Sequence, residues 1–171
     1  MKLSAQEEYG LRCLLHLAKR GVGASLTIPE ISTAEGLSVP NVAKLMRLMR
    51  MGKLVQSVRG QAGGYSLARP AADIRITEVM EVLGGRFFGP QFCGRHTGRQ
   101  EVCCHHTDCS LRALWNSIQF MLQSVLGRTT LADLMLNEDQ VAAMVAERTN
   151  AVLPLLDQAR CTVPSVESTR R

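Results

Sequence analysis

The sequence predicts a mainly α-helical protein with one small β-hairpin. Apolar residues recur at helical spacing near the amino end and again between residues 111 and 126, which predicts two amphipathic helices. Between them, residues 54–58 alternate apolar and polar side chains as a strand does, and a glycine-rich turn follows. Apolar residues make up 46% of the chain, but no run of them is long enough to cross a bilayer, so we expect no membrane partner.

The first 50 residues predict three helices. Leucines recur on one face of a first helix over residues 3–20. Thr27 and Glu30 have the spacing of a capping box, and they open a short second helix that runs through residue 34. Gly36 ends this second helix, and a tight turn leads into the third.

The third helix begins at Ser38, whose hydroxyl group is expected to cap it. Val42, Leu45 and Met49 face inward, so the opposite side of this helix is available to a partner. Two short helices joined by a tight turn form a helix-turn-helix. In that motif the second helix enters a DNA major groove with its amino end first.

A β-hairpin directly follows the helix-turn-helix. Residues 54–58 and 65–67 form its strands, and its position makes it a wing. Arg59 is placed to enter a minor groove or to contact a phosphate. No Gly-Lys-Ser sequence follows the turn, which excludes a phosphate-binding loop. Three glycines are expected only to supply the positive φ angles of the turn, namely Gly60, Gly63 and Gly64.

Charge is unevenly distributed along the chain, whose formal net charge is +5. Residues 36–72 contain no acidic residue but include Lys44, Arg47, Arg50, Lys53, Arg59 and Arg69. Such a segment attracts polyanions, although a solvated basic face would give the same pattern. Aromatic residues make up only 4% of the chain, so RNA and single strands are not expected and duplex DNA is the predicted partner. The predicted DNA contacts are Ser38, Pro40, Asn41, Lys44, Arg47, Arg59 and Gly60.

The second half of the chain predicts a helix over Ile76–Leu83 and a long helix that begins after Asp108, its expected N-cap. The apolar stripe of the long helix is too wide for so small a protein to cover, so we expect it to pair with its copy in a homodimer. An internal core helix is the alternative. The residues predicted to form the dimer face are Leu111, Leu114, Trp115, Ile118, Met121, Leu122 and Val125.

Four of the six cysteines lie between residues 93 and 109, with three of the four histidines. Glycines interrupt this segment, so it is not expected to form a regular helix or strand. The amino terminus shows no signal region, and a cytoplasmic location is therefore expected. In a reducing compartment, clustered cysteines indicate metal or redox chemistry more often than disulfides. Thiolates beside imidazoles suit zinc or an iron–sulfur cluster.

These features divide the chain into four predicted regions. Residues 1–83 form a winged helix-turn-helix DNA-binding domain, and residues 84–108 form a cysteine-rich cofactor loop. Residues 109–157 contain the dimerisation helix, a short helix near residues 130–136 and a last helix from about residue 137 to residue 154. Residues 158–171 offer little apolar surface and are expected to be disordered.

The sequence resembles the winged-helix regulators of the IscR, NsrR and CymR family from residue 1 to about residue 136. The resemblance implies a homodimeric transcription regulator, and in the IscR and NsrR branches an iron–sulfur cluster held by three cysteines of this loop. By that resemblance Cys93, Cys103 and Cys109 are the ligands, with [2Fe-2S] favoured over [4Fe-4S]. The residues that carry the resemblance are Met1 to Ser4, Ser57 to Gly60, Gly63 to Tyr65, Ile76 to Val79, and Cys109 with Leu111, Ala113, Leu114 and Trp115.

The sequence departs from the family pattern at two places near the expected cofactor. Nine residues separate Cys93 from Cys103, where the family commonly has five. Arg112 stands where IscR-like proteins have a histidine ligand, and arginine cannot ligate iron because it stays protonated. The resemblance to NsrR implies Glu8 of the partner subunit as the fourth ligand. The alternatives are His105, His106 and Cys104, in that order.

A third departure lies in the recognition helix, where Ala43 replaces a glutamate of IscR. A carboxylate selects for a cytosine amino group, whereas alanine contacts at most a thymine methyl group. The operator is therefore expected to differ from that of IscR.

Two other uses of the loop stay open, a thiol–disulfide sensor without iron and a structural zinc site formed by the three cysteines and a histidine. An enzyme is not expected, because the sequence has no paired carboxylates, no Ser-His-Asp pattern and no dinucleotide-binding motif. If a cluster is present, we expect it to order the loop against the dimer helix and so set the spacing of the two recognition helices.

Overall fold

The computed structural model describes residues 3–21, 23–60, 63–89, 91–152 and 154. It is mainly helical with one antiparallel hairpin, as predicted. Single turns of 3₁₀ helix over Ala71–Asp73 and Asp133–Met135 precede the fourth and the last α-helix. In chain order the elements are α1 (Ala5–Lys19), α2 (Ile28–Glu35), α3 (Val39–Met51), β1 (Val55–Val58), β2 (Gly64–Leu67), α4 (Ile76–Leu83), α5 (Phe92–Arg95), α6 (Ser110–Leu126) and α7 (Glu138–Asn150).

The helix-turn-helix forms through the local signals seen in the sequence. Thr27 and Glu30 make both hydrogen bonds of the capping box at the start of α2. Gly36 ends α2 in the left-handed conformation with φ 65°, which glycine adopts without steric cost. Ser38 is the N-cap residue of α3, but its side chain makes no capping hydrogen bond. That last observation corrects the expectation that its hydroxyl group caps the helix.

The hairpin packs against the segment before α2. Leu26 and Tyr65 exchange two backbone hydrogen bonds of 2.9 and 2.8 Å. The prediction that three turn glycines supply positive φ angles is correct only for Gly60, whose φ is 121°. A β-carbon on Gly64 would lie 2.4 Å from the carbonyl oxygen of Leu26, so this glycine permits close backbone approach instead.

A single hydrophobic core joins the first four helices and the hairpin. It includes Leu14 of α1, Ile31 of α2, Leu45 of α3 and Val79 of α4. Leu131, which follows α6, is buried in the same core. The chain beyond the long helix therefore returns to stabilise the amino-terminal part. Among the described helices, none is long and apolar enough to cross a membrane.

The structure of the cysteine-rich segment differs from the prediction at two points. Residues 92–95 form the single-turn helix α5, which contains Cys93. The N-cap residue of α6 is Cys109 and not Asp108, because the Cys109 Sγ accepts the hydrogen bond from the backbone N–H of Arg112 at 3.4 Å. A thiol group thus occupies the position predicted for a carboxylate.

Helix α6 buries none of its side chains within the described part of the chain. Leu111, Leu114 and Met121 are 58%, 50% and 39% exposed, and the other predicted dimer residues are partly exposed. An internal core helix is therefore excluded for the single chain. Helix α7 begins after Asn137 as predicted, but it ends at Asn150 and not near Pro154. The tail from residue 158 lies outside the described residues.

Candidate DNA-binding surface and cysteine site

The predicted DNA-contacting side of α3 lies on the protein surface. Pro40, Lys44 and Arg47 are exposed, and Asn41 is partly exposed. Ser38 is exposed at the amino end, and within the described residues its hydroxyl group has no hydrogen-bond partner. The opposite side of the helix is fully buried, so the amphipathic division predicted from the sequence is present. The exposed side can approach a DNA groove without disturbing the core.

Arg59 and Gly60 lie just after β1, at the turn of the hairpin, and both are exposed. The Arg59 side chain makes no hydrogen bond or ion pair within the described part of the chain. A flexible cation with no partner of its own is available to a phosphate or to a minor groove.

Arg69 has a different role from the other basic residues of this region. Its Nη1 donates a hydrogen bond to the Lys53 carbonyl oxygen at 3.1 Å, and its Nε donates one to the Asp73 carbonyl oxygen at 3.1 Å. Its Nη2 also pairs with the carboxylate of Glu78. Arg69 therefore holds the end of the hairpin against α4 and contributes less to a DNA-facing surface. The basic run in the sequence did not reveal this role, because the partners are backbone groups brought together by folding.

An ion-pair cluster braces α1 against the carboxyl end of α2. Arg12 Nε lies 2.9 Å from Glu35 Oε2, and His16 Nδ1 lies 3.2 Å from Glu35 Oε1. Between these residues Cys13 is completely buried, and burial with the nearby Glu35 carboxylate raises the pKa of its thiol to about 11. Cys13 is thus a neutral core residue, whereas the cysteines of residues 93–109 are partly or fully exposed.

All three cysteines predicted as ligands line one cavity of about 230 Å³, which we call the cysteine cavity. Cys93 comes from α5, Cys103 from the irregular segment and Cys109 from the start of α6, and each is partly exposed. Both alternative histidine ligands, His105 and His106, also line it. Soft sulfur and imidazole donors therefore share one space.

Other predicted ligands lie elsewhere. Cys104 is exposed and does not line the cysteine cavity, and Glu8 is exposed on α1 and does not line it either. Within the described residues, no three His, Cys, Asp or Glu side chains stand close enough to hold a single metal ion. The donor set suits zinc or an iron–sulfur cluster, but a closed coordination geometry is not formed.

Arg112 holds the loop that leads into α6. Its Nη1 donates a hydrogen bond to the His106 carbonyl oxygen at 3.0 Å, and its Nη2 donates one to the Thr107 carbonyl oxygen at 3.4 Å. Its backbone N–H donates a hydrogen bond to Cys109 Sγ at 3.4 Å, so one residue contacts both the loop and the cap of α6. Sequence reasoning identified Arg112 only as a residue that cannot ligate iron.

The start of the cysteine segment is also attached to α6. The Phe88 backbone N–H donates a hydrogen bond to Gln119 Oε1 at 2.9 Å, and the rings of Phe87 and Trp115 pack edge to face with centroids 6.0 Å apart. The segment is therefore joined to the long helix at both ends.

A family model described as "Rrf2: Iron-dependent Transcriptional regulator" matches residues 3–137. The chain belongs to the Rrf2 family. This membership confirms the resemblance inferred from the winged helix and the cysteine segment.

Curated relatives of this Rrf2 protein include regulators from several bacteria. The "HTH-type transcriptional regulator IscR" of Cereibacter sphaeroides is 32% identical over 143 residues, which cover 81% of this chain and 89% of that protein. "Protein rrf2" of Nitratidesulfovibrio vulgaris is 33% identical over 136 residues, which cover 79% of this chain and 87% of that protein. Because the relatives are transcriptional regulators, the prediction that the chain is not an enzyme is confirmed.

Solved structures of the same family share the fold. The IscR of T. potens matches with a TM-score of 0.62 and 29% identity, covering 79% of this chain and 86% of that chain. The CymR of B. subtilis, titled "the Global Cysteine Regulator", matches with the same TM-score and identity, covering 79% of this chain and 96% of that chain. The fold is thus equally similar to an IscR and to a CymR.

Proposed function

We propose that this Rrf2 regulator binds duplex operator DNA as a homodimer and that an iron–sulfur cluster in the cysteine cavity controls its affinity. The observation that carries the proposal is that Cys93, Cys103 and Cys109 line one cavity at the amino end of α6. The same helix exposes its apolar residues, so the cofactor site and the proposed dimer interface share one element.

DNA binding is supported by the exposed side of α3 and by Arg59 of the wing. Ser38, Lys44 and Arg47 would contact the major groove and its phosphates, with Pro40 and Asn41 beside them at the amino end of the helix. Arg59 and Gly60 would approach the backbone or the adjacent minor groove. The absence of acidic residues from 36 to 72 keeps this surface attractive to phosphate.

Dimerisation is supported by the unburied apolar side of α6. Three large side chains at 58%, 50% and 39% exposure on one helix would be costly to leave in water. Pairing with a second copy across a two-fold axis would cover them and would present two recognition helices to two DNA half-sites.

Cluster binding is supported by the donor chemistry of the cysteine cavity. Cys93, Cys103 and Cys109 would supply three thiolates, and Glu8 of the partner subunit would supply the fourth ligand, with His105, His106 and Cys104 as the alternatives. When bound, the cluster would supply one-electron redox chemistry, and we favour [2Fe-2S]. The positive end of the α6 dipole would favour an anionic cluster held by Cys109, and the loop hydrogen bonds of Arg112 would transmit the position of the loop to α6.

The decisive experiment is purification of the full chain without oxygen, followed by a visible spectrum and assays for iron, sulfide and zinc. We expect a coloured protein that contains iron and sulfide, and we expect Cys109→Ser to lose both. Cys161→Ser, which changes a cysteine outside residues 93–109, is the control and should keep its colour. Operator affinity of the loaded and cluster-free proteins at one salt concentration should differ about 5 to 150-fold, which corresponds to roughly 1 to 3 kcal/mol of coupling.

A thiol–disulfide sensor is the second candidate. It is favoured by the equal structural similarity to CymR and by the partial exposure of three cysteines within one loop. A colourless protein without iron and sulfide, even after anaerobic reconstitution, would rule out the cluster. Oxidant-dependent disulfides among the loop cysteines would then support this candidate, whereas bound zinc would support a structural zinc site.

A further inference from the structure

A second cavity adjoins the cysteine cavity along α6. Its volume is about 310 Å³, and it shares Cys93 and Arg112 with the cysteine cavity. Its polar lining includes two guanidinium groups and three carboxamides, and among the described residues no carboxylate lines it. These polar residues are Arg86, Arg112, Asn116, Gln119 and Gln123.

The polar lining follows from the sequence of α6. Arg112, Asn116, Gln119 and Gln123 recur at intervals of four, three and four residues, so they form one stripe on the helix. A polar stripe on a surface helix commonly faces water. Here it faces Phe88 and Cys93, as the hydrogen bond from the Phe88 N–H to Gln119 and the shared cavity show, while apolar residues of the same helix such as Leu111 are exposed. The helix therefore turns polar groups toward a cavity.

Several of these polar groups still have hydrogen-bonding capacity. Within the described residues, the side chains of Asn116 and Gln123 make no hydrogen bond. Arg86 uses its Nε on Glu81 at 2.8 Å, and Arg112 uses two N–H groups on loop carbonyls. A guanidinium group has five N–H donors, so each arginine retains donors for a ligand.

We propose that this space, which we call the oxyanion cavity, binds a small carboxylate or phosphate between Arg86 and Arg112. Guanidinium groups bind planar or tetrahedral oxyanions through paired, charge-assisted hydrogen bonds, and carboxamide N–H groups complete such a site. The ligand would be linked to the cysteine loop, because Arg112 contacts both the cavity and the carbonyl groups of His106 and Thr107. The site does not depend on what the cysteines hold.

The test needs reporters within the cavity, since phosphate would also bind the basic DNA-facing surface. Cys93 lines the cavity and is partly exposed, so its alkylation by N-ethylmaleimide reports access to it. Cys104 is exposed and lines neither cavity, so it serves as an internal reference in the same sample. Trp115, the single tryptophan of the chain, lies beside Asn116 and packs on Phe87, so its fluorescence reports binding independently.

Metal-free, full-length protein would be titrated with succinate and with inorganic phosphate against chloride at equal ionic strength. At a probe concentration nine times the Kd, the alkylation rate of Cys93 should fall about tenfold, while that of Cys104 stays unchanged. Protection by succinate alone assigns a carboxylate ligand, protection by phosphate alone assigns a phosphate ligand, and protection by both assigns a general oxyanion site.

Arg86→Gln and Asn116→Ala should each weaken this protection and the change in Trp115 fluorescence. Arg99→Gln is the matched control, because Arg99 is exposed and lines neither cavity. Unchanged Cys93 alkylation with both probes would overturn the proposal. An equal loss of protection in the Arg99→Gln variant would overturn it too, because the effect would then reflect only overall charge. Neither result depends on whether the protein binds a cluster.

Discussion

At the scale of single residues, the cysteine segment is organised by a side chain that cannot ligate metal. Arg112 contacts two loop carbonyl groups through its guanidinium, and its backbone N–H contacts Cys109 Sγ. One residue thus controls both the path of the loop and the environment of a proposed ligand. The resemblance to IscR implies a coordinating histidine at this position, and in this chain the arginine there holds the loop instead.

Substitution of Arg112 by alanine should loosen the loop before α6. The two lost hydrogen bonds contribute about 1 kcal/mol in total, so the fraction of molecules in which this loop is locally unfolded should rise about fivefold. The alkylation rate of Cys109 in metal-free protein should rise by the same factor. Arg99→Ala is the control, because Arg99 is exposed and this substitution also removes one positive charge. Mass spectrometry of the alkylated peptides measures both rates. Equal rates in wild type and Arg112→Ala would refute the positioning role.

Asp133 stabilises the return of the chain to the core. Burial alone would raise the pKa of its carboxyl group, but hydrogen bonds from Arg148 and from Thr130 outweigh burial and lower that pKa below the usual 3.8. The contacts are 2.9 Å from Arg148 Nη1 and 2.8 Å from the Thr130 backbone N–H. The ionised form is therefore the one that stabilises the folded state.

Asp133→Asn should lower the free energy of unfolding by about 1 to 2 kcal/mol at pH 7. The stabilisation is complete above the unfolded pKa near 3.8 and is lost as the pH falls through the lower folded pKa, so wild type and variant should converge below about pH 3.8. Urea unfolding at fixed protein concentration measures the free energy of unfolding at each pH. Asp108→Asn is the control, because Asp108 is exposed. A pH-independent difference would show that the charge is not responsible.

At the scale of elements, the wing and the long helix depend on contacts that each element cannot make alone. The hairpin is held through the backbone pairing of Leu26 with Tyr65, next to the close approach of Gly64. Helix α6 has one side turned to a polar cavity and leaves large apolar residues unburied. Contacts within the chain hold the hairpin, and we propose that a second copy of the chain covers the exposed apolar residues of α6.

Gly64→Ala should destabilise the protein by about 2 kcal/mol or more, because the new β-carbon would meet the Leu26 carbonyl oxygen at 2.4 Å. Backbone must move to relieve this contact, which also displaces the wing. Gly94→Ala is the control, since a β-carbon there meets no atom within 4 Å. Thermal unfolding compares the two variants, and a stable Gly64→Ala protein would show that the hairpin can shift without cost.

Leu114→Glu should convert the proposed dimer to a monomer, because it places a charge at the centre of the exposed apolar side of α6. Light scattering coupled to gel filtration gives the mass directly, and circular dichroism verifies that the fold is retained. Leu136→Glu changes a residue of 46% exposure outside α6 and should stay dimeric. A dimer that survives Leu114→Glu would place the interface elsewhere.

At the scale of the whole molecule, the three functions that we propose are arranged in series along the chain. The proposed DNA-facing surface lies on α3 and the wing, the cysteine segment follows α4, and the proposed dimer face follows the cysteines. Both ends of the cysteine segment are attached to α6. In the homodimer that we propose, a change in the loop would alter how two copies meet and how far apart their recognition helices stand.

Arg59→Ala should weaken operator binding and reduce the slope of log affinity against log salt by about 0.9, the value for one phosphate contact. Electrophoretic or fluorescence titrations at several salt concentrations measure the slope. Arg128→Ala removes an exposed arginine outside the wing and α3 and should leave the slope unchanged. An unchanged slope for Arg59→Ala would exclude a phosphate contact by the wing.

Sequence patterns predicted most of the fold because the signals were local. Capping boxes, glycine breaks and apolar periodicity act within about one or two turns of chain, so α1 to α4, the hairpin and α6 appear where expected. The three cysteines were identified by their density along the chain and by family resemblance. The three line one cavity, and their role as cluster ligands stays a prediction.

The sequence by itself determined the element order, the family and the donor types of the cysteine site. Only the tertiary structure decided that Cys109 caps α6, that Arg69 binds backbone groups near α4, and that Arg112 holds the loop. It also decided that the polar stripe of α6 faces a cavity and its apolar residues face outward. The physical reason is that these roles depend on partners far apart in the chain or on backbone N–H and carbonyl groups, and one-dimensional spacing carries no record of which of them meet.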